Sequence, residues 1–208
     1  MAKVRLSTLV ADVRNRLGNV VFSKWKDTNY VWEYTSYSRG NSEKQAEVRN
    51  CFALLVSVWK SMGQVMHSSW NEYSKNMNMT GFNAFIKTNS ALVLECEAME
   101  LFKSYGENEI VSIIAEGNAS AGEIICSFSV PQSSTGRYVV FFVQKIMEGK
   151  VTDEIRTHEA GINPVSPFTI SGLEPGGEYF VYAVITDGEY SSAVTASASV
   201  SVHAVAGA

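Results

Sequence analysis

The stretch LEPGGEYFVYAV, from Leu173 to Val184, joins a tight turn to a strand. Pro175 fixes its own φ, and the two glycines that follow it accept the positive φ values of tight turns. The residues after the turn are mostly aromatic or β-branched, which favours an extended backbone. The stretch therefore predicts a turn followed by a strand over residues 178–186.

Runs of the same texture surround this strand, and Gly, Pro, Asn or Ser residues separate them. The runs cover residues 110–115, 123–130, 137–147, 151–157, 166–171, 178–186 and 192–202. Seven short strands at such regular spacing predict an antiparallel β-sandwich. The Ser-, Ala- and Val-rich stretch from Ser191 to Val202 is expected to be a long edge strand or an exchanged strand.

The turn and its strand resemble the E–F corner of fibronectin type III domains, where a Leu-x-Pro-Gly turn precedes a Tyr and an alternating strand. The resemblance implies that Tyr179 is the tyrosine-corner residue, whose hydroxyl anchors the turn. The Trp that this family carries on its central strand is missing, and that region holds Tyr138, Phe141 and Phe142 instead. The expected fold is therefore an immunoglobulin-like sandwich rather than a strict member of the family.

An aromatic hairpin is predicted over residues 19–36. Asp27-Thr28-Asn29 supplies turn residues between two extended runs. Aromatic residues occupy every second position of the return strand, at Tyr30, Trp32 and Tyr34, so one of its faces is wholly aromatic. The segment from Val4 to Val13 fits neither the helix nor the strand period and stays unassigned.

A helix is predicted after the hairpin, capped by Asn41-Ser42. Its apolar residues alternate at spacings of four and three, and they are Val48, Phe52, Leu55, Trp59, Met62 and Met66. This spacing predicts one continuous apolar face, which we call the helix stripe. Ser68-Ser69 is expected to cap a second short helix, and Thr80-Gly81 to separate that helix from a third.

The two halves of the chain differ in composition. All four Trp residues precede residue 71, and all four Pro residues follow residue 130. We therefore expect an α+β protein with two differently built domains. The expected parts are a basic, aromatic-rich hairpin and helical domain at 1–90, an acidic bridging segment at 91–107 and the sandwich at 108–208.

Charge divides the chain in the same way. Residues 1–90 hold twelve Lys or Arg against six Asp or Glu, a balance of +6, whereas residues 91–208 hold five against fifteen, a balance of −10. The net charge of −4 thus conceals a basic end and an acidic end. This polarity favours a polyanionic partner at the basic end or head-to-tail contact between copies.

The sequence offers no catalytic constellation. Its His residues are His67, His158 and His203, and none has an acid or a Cys at the spacing of a triad or a metal site. No Gly-rich phosphate-binding motif is present. Glu95, Glu97 and Glu100 are expected on a solvated face, because their spacings do not converge on one point. We therefore expect no enzyme activity, no cofactor and no metal.

The cysteines and the apolar runs indicate the redox state of the thiols and whether the chain has a signal peptide or a membrane span. Cys51, Cys96 and Cys126 lack the spacing of a zinc or redox motif, so reduced and mostly buried thiols are expected. The amino terminus leads into no stretch of signal-peptide length, and no stretch approaches the roughly 18 apolar residues of a membrane span. We therefore expect a protein with no signal peptide and no membrane partner.

Two binding surfaces are predicted. The first combines basic and aromatic residues, namely Arg14, Arg16, Lys24, Lys26, Tyr30, Trp32, Tyr34 and Tyr37. Basic groups that follow a backbone, together with rings that stack on bases, are what binding of single-stranded nucleic acid requires. Alternatively, the aromatic face covers the helix stripe and leaves the basic groups in solvent. The second surface is the helix stripe, which either forms an intramolecular core or pairs with another copy.

The N-terminal part also resembles a set of proteins from Bacteroidota genomes and from phage or prophage regions. The resemblance rests on Arg16-Leu17-Gly18-Asn19-Val20-Val21, Trp25-Lys26, Tyr30-Val31, Gln45, Arg49, Phe52, Trp70-Asn71-Glu72-Tyr73 and Gly81-Phe82-Asn83-Ala84-Phe85. It implies such a module joined to a C-terminal β-sandwich, in a phage context. The expected function is structural: a protein that self-associates or joins other particle proteins, located in a virion or in the cytoplasm before assembly.

Overall fold

The computed structural model of the chain describes residues 2–5, 14–26, 28–36, 42–103, 110, 112–130, 137–193 and 195–208. Tyr37 of the predicted surface, Asp27 of the predicted turn and Asn41 of the predicted cap lie outside these ranges. The chain divides into two compact units, an N-terminal unit at Met1–Ser42 and a C-terminal unit at Glu43–Ala208. The division therefore falls before the helices and not at the expected boundary near residue 90.

The N-terminal unit is built on a four-stranded antiparallel sheet. Its strands are β1 (Ala2–Val4), β2 (Asn15–Leu17), β3 (Val20–Trp25) and β4 (Thr28–Glu33), in the order β1-β4-β3-β2. β3 and β4 form the predicted aromatic hairpin, and Lys26 in its turn has a φ of 51°. The strands β1 and β2 flank this hairpin and widen it into a sheet.

Three helices open the C-terminal unit, α1 (Glu43–Ser61), α2 (Gln64–Tyr73) and α3 (Gly81–Leu94). The predicted continuous stripe is wrong beyond α1, because Gly63 interrupts the helix in an extended conformation and places Met66 on α2. Ser68 and Ser69 lie inside α2 and do not cap it. The predicted break before the third helix is confirmed, since the Thr80 side chain caps α3 by accepting a hydrogen bond from the Asn83 N–H at 3.2 Å.

The remainder of the C-terminal unit is an immunoglobulin-like sandwich. Its strands are β5 (Ser112–Gly117), β6 (Ile124–Ser129), β7 (Tyr138–Met147), β8 (Lys150–Ile162), β9 (Phe168–Ile170), β10 (Glu178–Thr186) and β11 (Val200–Val205). One sheet has the order β5-β6-β9 and the other β11-β10-β7-β8, both antiparallel. The α+β class is confirmed, but the last predicted run is shifted: an isolated bridge joins Ala196 to Thr186, and the strand starts only at Val200.

The sheet that contains β7 and β10 is buried on both of its faces. Alternate residues of β10, such as Val181 and Ala183, point into the core between the two sheets. The residues between them, such as Tyr182, belong to a second core that contains side chains of all three helices. The helices and the sandwich therefore share a core and form one unit, which explains why the structural division falls at residue 42.

The segment expected to bridge two domains is part of this second core. Met99, Leu101 and Phe102 are at most 1% exposed. The indole N–H of Trp70 donates to the carbonyl of Leu101 at 2.9 Å, and the Leu101 N–H donates to the Ser199 hydroxyl at 3.1 Å. The segment thus connects the helices to the loop before β11, and its apolar residues fix it in place.

The buried side of α1 matches the predicted stripe only in part, because Leu55 belongs to both whereas Cys51 and Val58 lie one position before Phe52 and Trp59 of the stripe. Its buried residues are Cys51, Leu55 and Val58. Val48 and Phe52 of the predicted stripe are 58% and 50% exposed. α1 packs against α3 and β8, so the prediction that the aromatic hairpin covers Leu55 is wrong. The sequence did not distinguish the two possible buried sides of α1, because apolar residues occupy neighbouring positions along the helix, as Cys51 and Phe52 do.

Candidate interaction surface

The strand register assigns the residues of the N-terminal sheet to two faces, because residues directly opposite each other in antiparallel strands share a face. Arg16 of β2 is opposite Val21 of β3, which is opposite Trp32 of β4. Lys3 of β1 is opposite Tyr30 of β4. We call the side that carries these residues the aromatic face.

The aromatic face contains four of the predicted surface residues, Arg16, Tyr30, Trp32 and Tyr34, since alternate residues of one strand point to one side. The structure adds residues that the sequence reasoning missed. These are Lys3, Val21, Ser23 and Trp25. Val21, Ser23 and Trp25 could have been identified from the alternation of side chains along β3. Lys3 lies on a strand that the sequence pattern did not reveal.

Three predicted basic residues lie elsewhere. Lys24 is opposite Asn29 and therefore points to the other side of the sheet. Lys26 occupies the hairpin turn, and Arg14 precedes β2 beside Asn15, whose φ is 78°. The predicted grouping of all the basic and aromatic residues on one surface is thus wrong for Lys24. The strand period of two separates it from the rings.

A shallow cleft of about 620 Å³ lies on the aromatic face, lined by Arg16, Val21, Trp32, Tyr34, Thr35 and Ser36. The guanidinium carbon of Arg16 lies 3.8 Å from the centroid of the Tyr34 ring, in cation–π contact. The Nε–H of Arg16 donates to the carbonyl of Gly18 at 2.6 Å, which orients the guanidinium over the ring. A cation beside aromatic rings at an open cleft suits a ligand that is planar, anionic or both.

The opposite side of the sheet, which we call the aliphatic face, is also apolar. Leu17 is opposite Val20, and Phe22 is opposite Val31. Lys24 and Glu33 carry the charges of this face, and both side chains are exposed. The sheet therefore presents apolar side chains in both directions.

No described residue of the N-terminal unit is buried, so the part of its sheet that the structure describes has no dry core. Leu17 is 75% exposed, Trp25 is 48% exposed and Tyr34 is 45% exposed. A sheet needs packing against another layer for independent stability. This surface is therefore the strongest candidate for contacts with a partner.

The histidines take structural positions in the described part of the chain. His67 stacks on Trp59 with ring centroids 4.3 Å apart, and its Nε2 lies 2.7 Å from the Trp59 carbonyl oxygen. Burial, together with the nearby Arg156, lowers the pKa of His158. His203 is exposed, with its Nε2 at 3.9 Å from a carboxylate oxygen of Glu178.

The cysteines and acidic residues add no metal site within the described ranges, where no group of three His, Cys, Asp or Glu side chains converges. Cys51 and Cys126 are buried, and burial raises the pKa of the Cys126 thiol to about 12. Such a thiol stays protonated and is a poor nucleophile. None of the described helices has the length and apolar character of a membrane span.

The predicted tyrosine corner is present in the sandwich. The hydroxyl of Tyr179 accepts a hydrogen bond from the Glu174 N–H at 2.9 Å. Gly176 has a φ of 69°, and a Cβ on Gly177 would lie 2.9 Å from the Tyr179 ring. Glycine is therefore required twice in the turn, once for its φ and once for the space that the ring occupies.

No family model matches the sequence, and no curated protein matches it. Several solved structures match the chain in part. The FN5 domain of Drosophila Lar is 17% identical, covers 46% of this chain and 92% of its own, and has a TM-score of 0.32. A computationally redesigned β-sandwich protein is 17% identical over 50% of this chain and 93% of its own, with a TM-score of 0.36. Domains d3–d4 of rat CD45 are 11% identical, and the match covers 46% of this chain and 47% of the CD45 chain, with a TM-score of 0.30.

Proposed function

We propose that this protein is a non-enzymatic structural protein that self-associates or docks on a larger particle through its N-terminal sheet. One observation supports this above the others. The sheet carries apolar side chains on both faces, and none of its described residues is buried. A sheet of this kind reaches its stable state between two layers.

Each apolar face of the sheet needs a covering layer. None of the described residues of the N-terminal unit is buried, so neither face has a dry covering layer within that unit's described part. A second copy of this chain or another protein of a particle would meet that requirement.

The opposite net charges of the two units favour contacts between different copies. Residues 1–42 hold seven Lys or Arg against three Asp or Glu, and residues 43–208 hold ten against eighteen. The N-terminal unit is therefore basic by +4 and the C-terminal unit acidic by −8. Opposite charges attract the basic end of one copy to the acidic end of another, which favours association at low salt.

The resemblance of the N-terminal part to proteins of phage and prophage regions extends this proposal to a setting. The protein would then be a virion component that is cytoplasmic before assembly. Its partners would be copies of itself or other particle proteins. Cryo-electron microscopy of particles produced by the source genome, with this protein tagged, would test the assignment.

The proposed self-association can be tested by light scattering at low and high salt. Because screening shortens to about 3 Å at 1 M salt, electrostatically guided contacts should weaken there. The double variant Lys24→Glu/Lys26→Glu should associate less than the wild type at low salt. Lys87→Glu/Lys150→Glu makes the same change of charge in the C-terminal unit and is the matched control. A wild-type protein that stays monomeric at every concentration and salt would contradict self-association.

A nucleic-acid-binding protein is the second candidate, and the cleft at Arg16 favours it. Aromatic rings on which bases can stack, beside a cation, are the elements from which single-strand sites are built. Titration of a fluorescent single-stranded oligonucleotide with wild-type protein and with Arg16→Ala would measure this activity. Loss of oligonucleotide binding in Arg16→Ala, with normal association, would favour this candidate over assembly.

A further inference from the structure

We infer that the aliphatic face of the N-terminal sheet is a self-complementary interface, on which two copies pack about a two-fold axis perpendicular to their strands. In this dimer, Lys24 of each copy pairs with Glu33 of the other. The inference rests on the proposed self-association and identifies its surface. It follows from the positions of two charges on one apolar face.

Lys24 and Glu33 lie at opposite ends of the aliphatic face. Lys24 is opposite Asn29 next to the hairpin turn, whereas Glu33 is opposite Val20 at the far end of the hairpin. The two positions are four residue steps apart along the strands, which corresponds to about 13 Å. Among the described residues, neither charge has an ion-pair partner, and both side chains are exposed.

Apolar side chains occupy the middle of the face between these charges, with Asn15 of β2 beside Phe22 as a polar neighbour. Val20, Phe22 and Val31 lie on it, and Leu17 extends it onto β2. Leu17, the last residue of β2, is 75% exposed. Packing two copies of this face together would remove these side chains from water.

Symmetry selects the arrangement of the two copies. A two-fold interface places the same patch on both sides, so residue i contacts j and j contacts i. With the axis perpendicular to the strands, the Lys24 end of one copy meets the Glu33 end of the other at both ends of the interface. With the axis parallel to the strands, Lys24 would face Lys24, and the like charges would repel.

The aromatic face does not have this self-complementarity. The charged residues that the strand register places on it are Lys3 and Arg16, both positive. Two aromatic faces packed together would therefore bring cations together without a compensating acid on either face. The aliphatic face is thus the one that suits a second copy of this chain.

Charge exchange between the two positions tests the pairing. Lys24→Glu places glutamate against Glu33 twice in a homodimer, and Glu33→Lys places lysine against Lys24 twice. Each single variant should raise the dimer dissociation constant about ten-fold or more at low salt. Mixing the two variants in equal amounts restores both attractive pairs in the heterodimer, and the double variant Lys24→Glu/Glu33→Lys restores them in the homodimer.

Sedimentation velocity over a concentration series would measure these constants, with circular dichroism as the check on folding. Lys3→Glu, on the aromatic face, is the matched control and should leave the constant near the wild-type value. Failure of both the mixture and the double variant to recover dimerisation would overturn the pairing, even if the wild type associates. A wild type that is monomeric throughout would overturn the proposed self-association itself.

Discussion

At the scale of single residues, Tyr179 shows how one hydroxyl fixes a turn. The residue is 4% exposed and its hydroxyl accepts a hydrogen bond from the Glu174 N–H, so the side chain connects the sandwich core to the turn before β10. Tyr179→Phe removes the acceptor and leaves that N–H without its partner. We expect a loss of about 1–3 kcal/mol in the free energy of unfolding, measured by urea denaturation.

Tyr138→Phe is the matched control for this substitution, because the Tyr138 hydroxyl has no hydrogen bond to any described residue. It should change the free energy of unfolding by less than about 0.5 kcal/mol. Equal effects of the two substitutions would show that the hydrogen bond to Glu174 contributes nothing to stability.

His158 gives the sandwich a dependence on pH. Its Nε2 is buried with no hydrogen-bond partner in the described ranges, and burial lowers its pKa in the folded protein. In the unfolded chain the pKa of this His is about 6.5. As the pH falls through that value, the unfolded state binds more protons than the folded state, so the folded state loses stability. We expect the free energy of unfolding to decline between about pH 7.5 and pH 5.5.

His158→Phe removes this proton site and should flatten part of the decline, whereas His203→Asn changes an exposed ring and serves as the control. Denaturant titrations across this pH range would measure both slopes. Identical pH dependence in the wild type and in His158→Phe would exclude the ring as the cause.

At the scale of elements, α1 shows that an apolar side chain on a helix need not be buried. Leu55 is 0% exposed and Phe52 is 50% exposed, although they lie three residues apart on one helix. Leu55→Ala should cost about 2–5 kcal/mol, because it leaves a cavity in the core shared with α3 and β8. Phe52→Ala should cost less than about 1 kcal/mol in the monomer. Chemical denaturation would compare the two, and a larger loss in Phe52→Ala would show that this face is covered in solution.

The sequence predicted the strands of the sandwich well, because turn chemistry and strand composition are local properties. Residues 178–186 were predicted with the bounds that the structure gives to β10. The association of the helices with the sandwich was missed, although β7 carries an unbroken apolar run from Val139 to Val143. A strand that faces solvent on one side alternates, so an unbroken run indicates cover on both faces. The sequence showed that cover was needed but did not identify the covering elements.

The candidate site was predicted only in part, because alternation along one strand can be read from the sequence whereas the pairing of strands cannot. The alternation of Tyr30, Trp32 and Tyr34 placed three rings on one face from the sequence alone, and the structure joins Arg16 to Tyr34. The separation of Lys24 from that face follows from the pairing of β3 with β4, which the hairpin prediction did not extend to individual residues. The contribution of Lys3 could not be predicted, because three residues of β1 carry too little periodic signal.

At the scale of the whole molecule, the helices cover the outer face of the sandwich sheet. Phe142 and Tyr182 of this face are 0% exposed, and the Tyr182 hydroxyl donates to the Gln144 side chain at 2.7 Å while it accepts the Met99 N–H at 3.0 Å. Removing the helices and the segment that contains Met99 would expose these rings and leave the network incomplete. The sandwich therefore depends on residues that precede it in the chain.

Two fragments test this dependence. Residues 43–208 contain both cores and should unfold in one cooperative transition with a free energy close to that of the same unit in the full chain, because the cores lie within them. Residues 108–208 lack the cover of the outer face, so they should aggregate or bind a hydrophobic dye such as ANS, since a large apolar surface would face water. Thermal unfolding by circular dichroism and dye fluorescence would compare the fragments. A soluble 108–208 fragment with a cooperative transition and no dye binding would show that the sandwich is an independent domain, as the sequence first suggested, and that the helices are an addition to it.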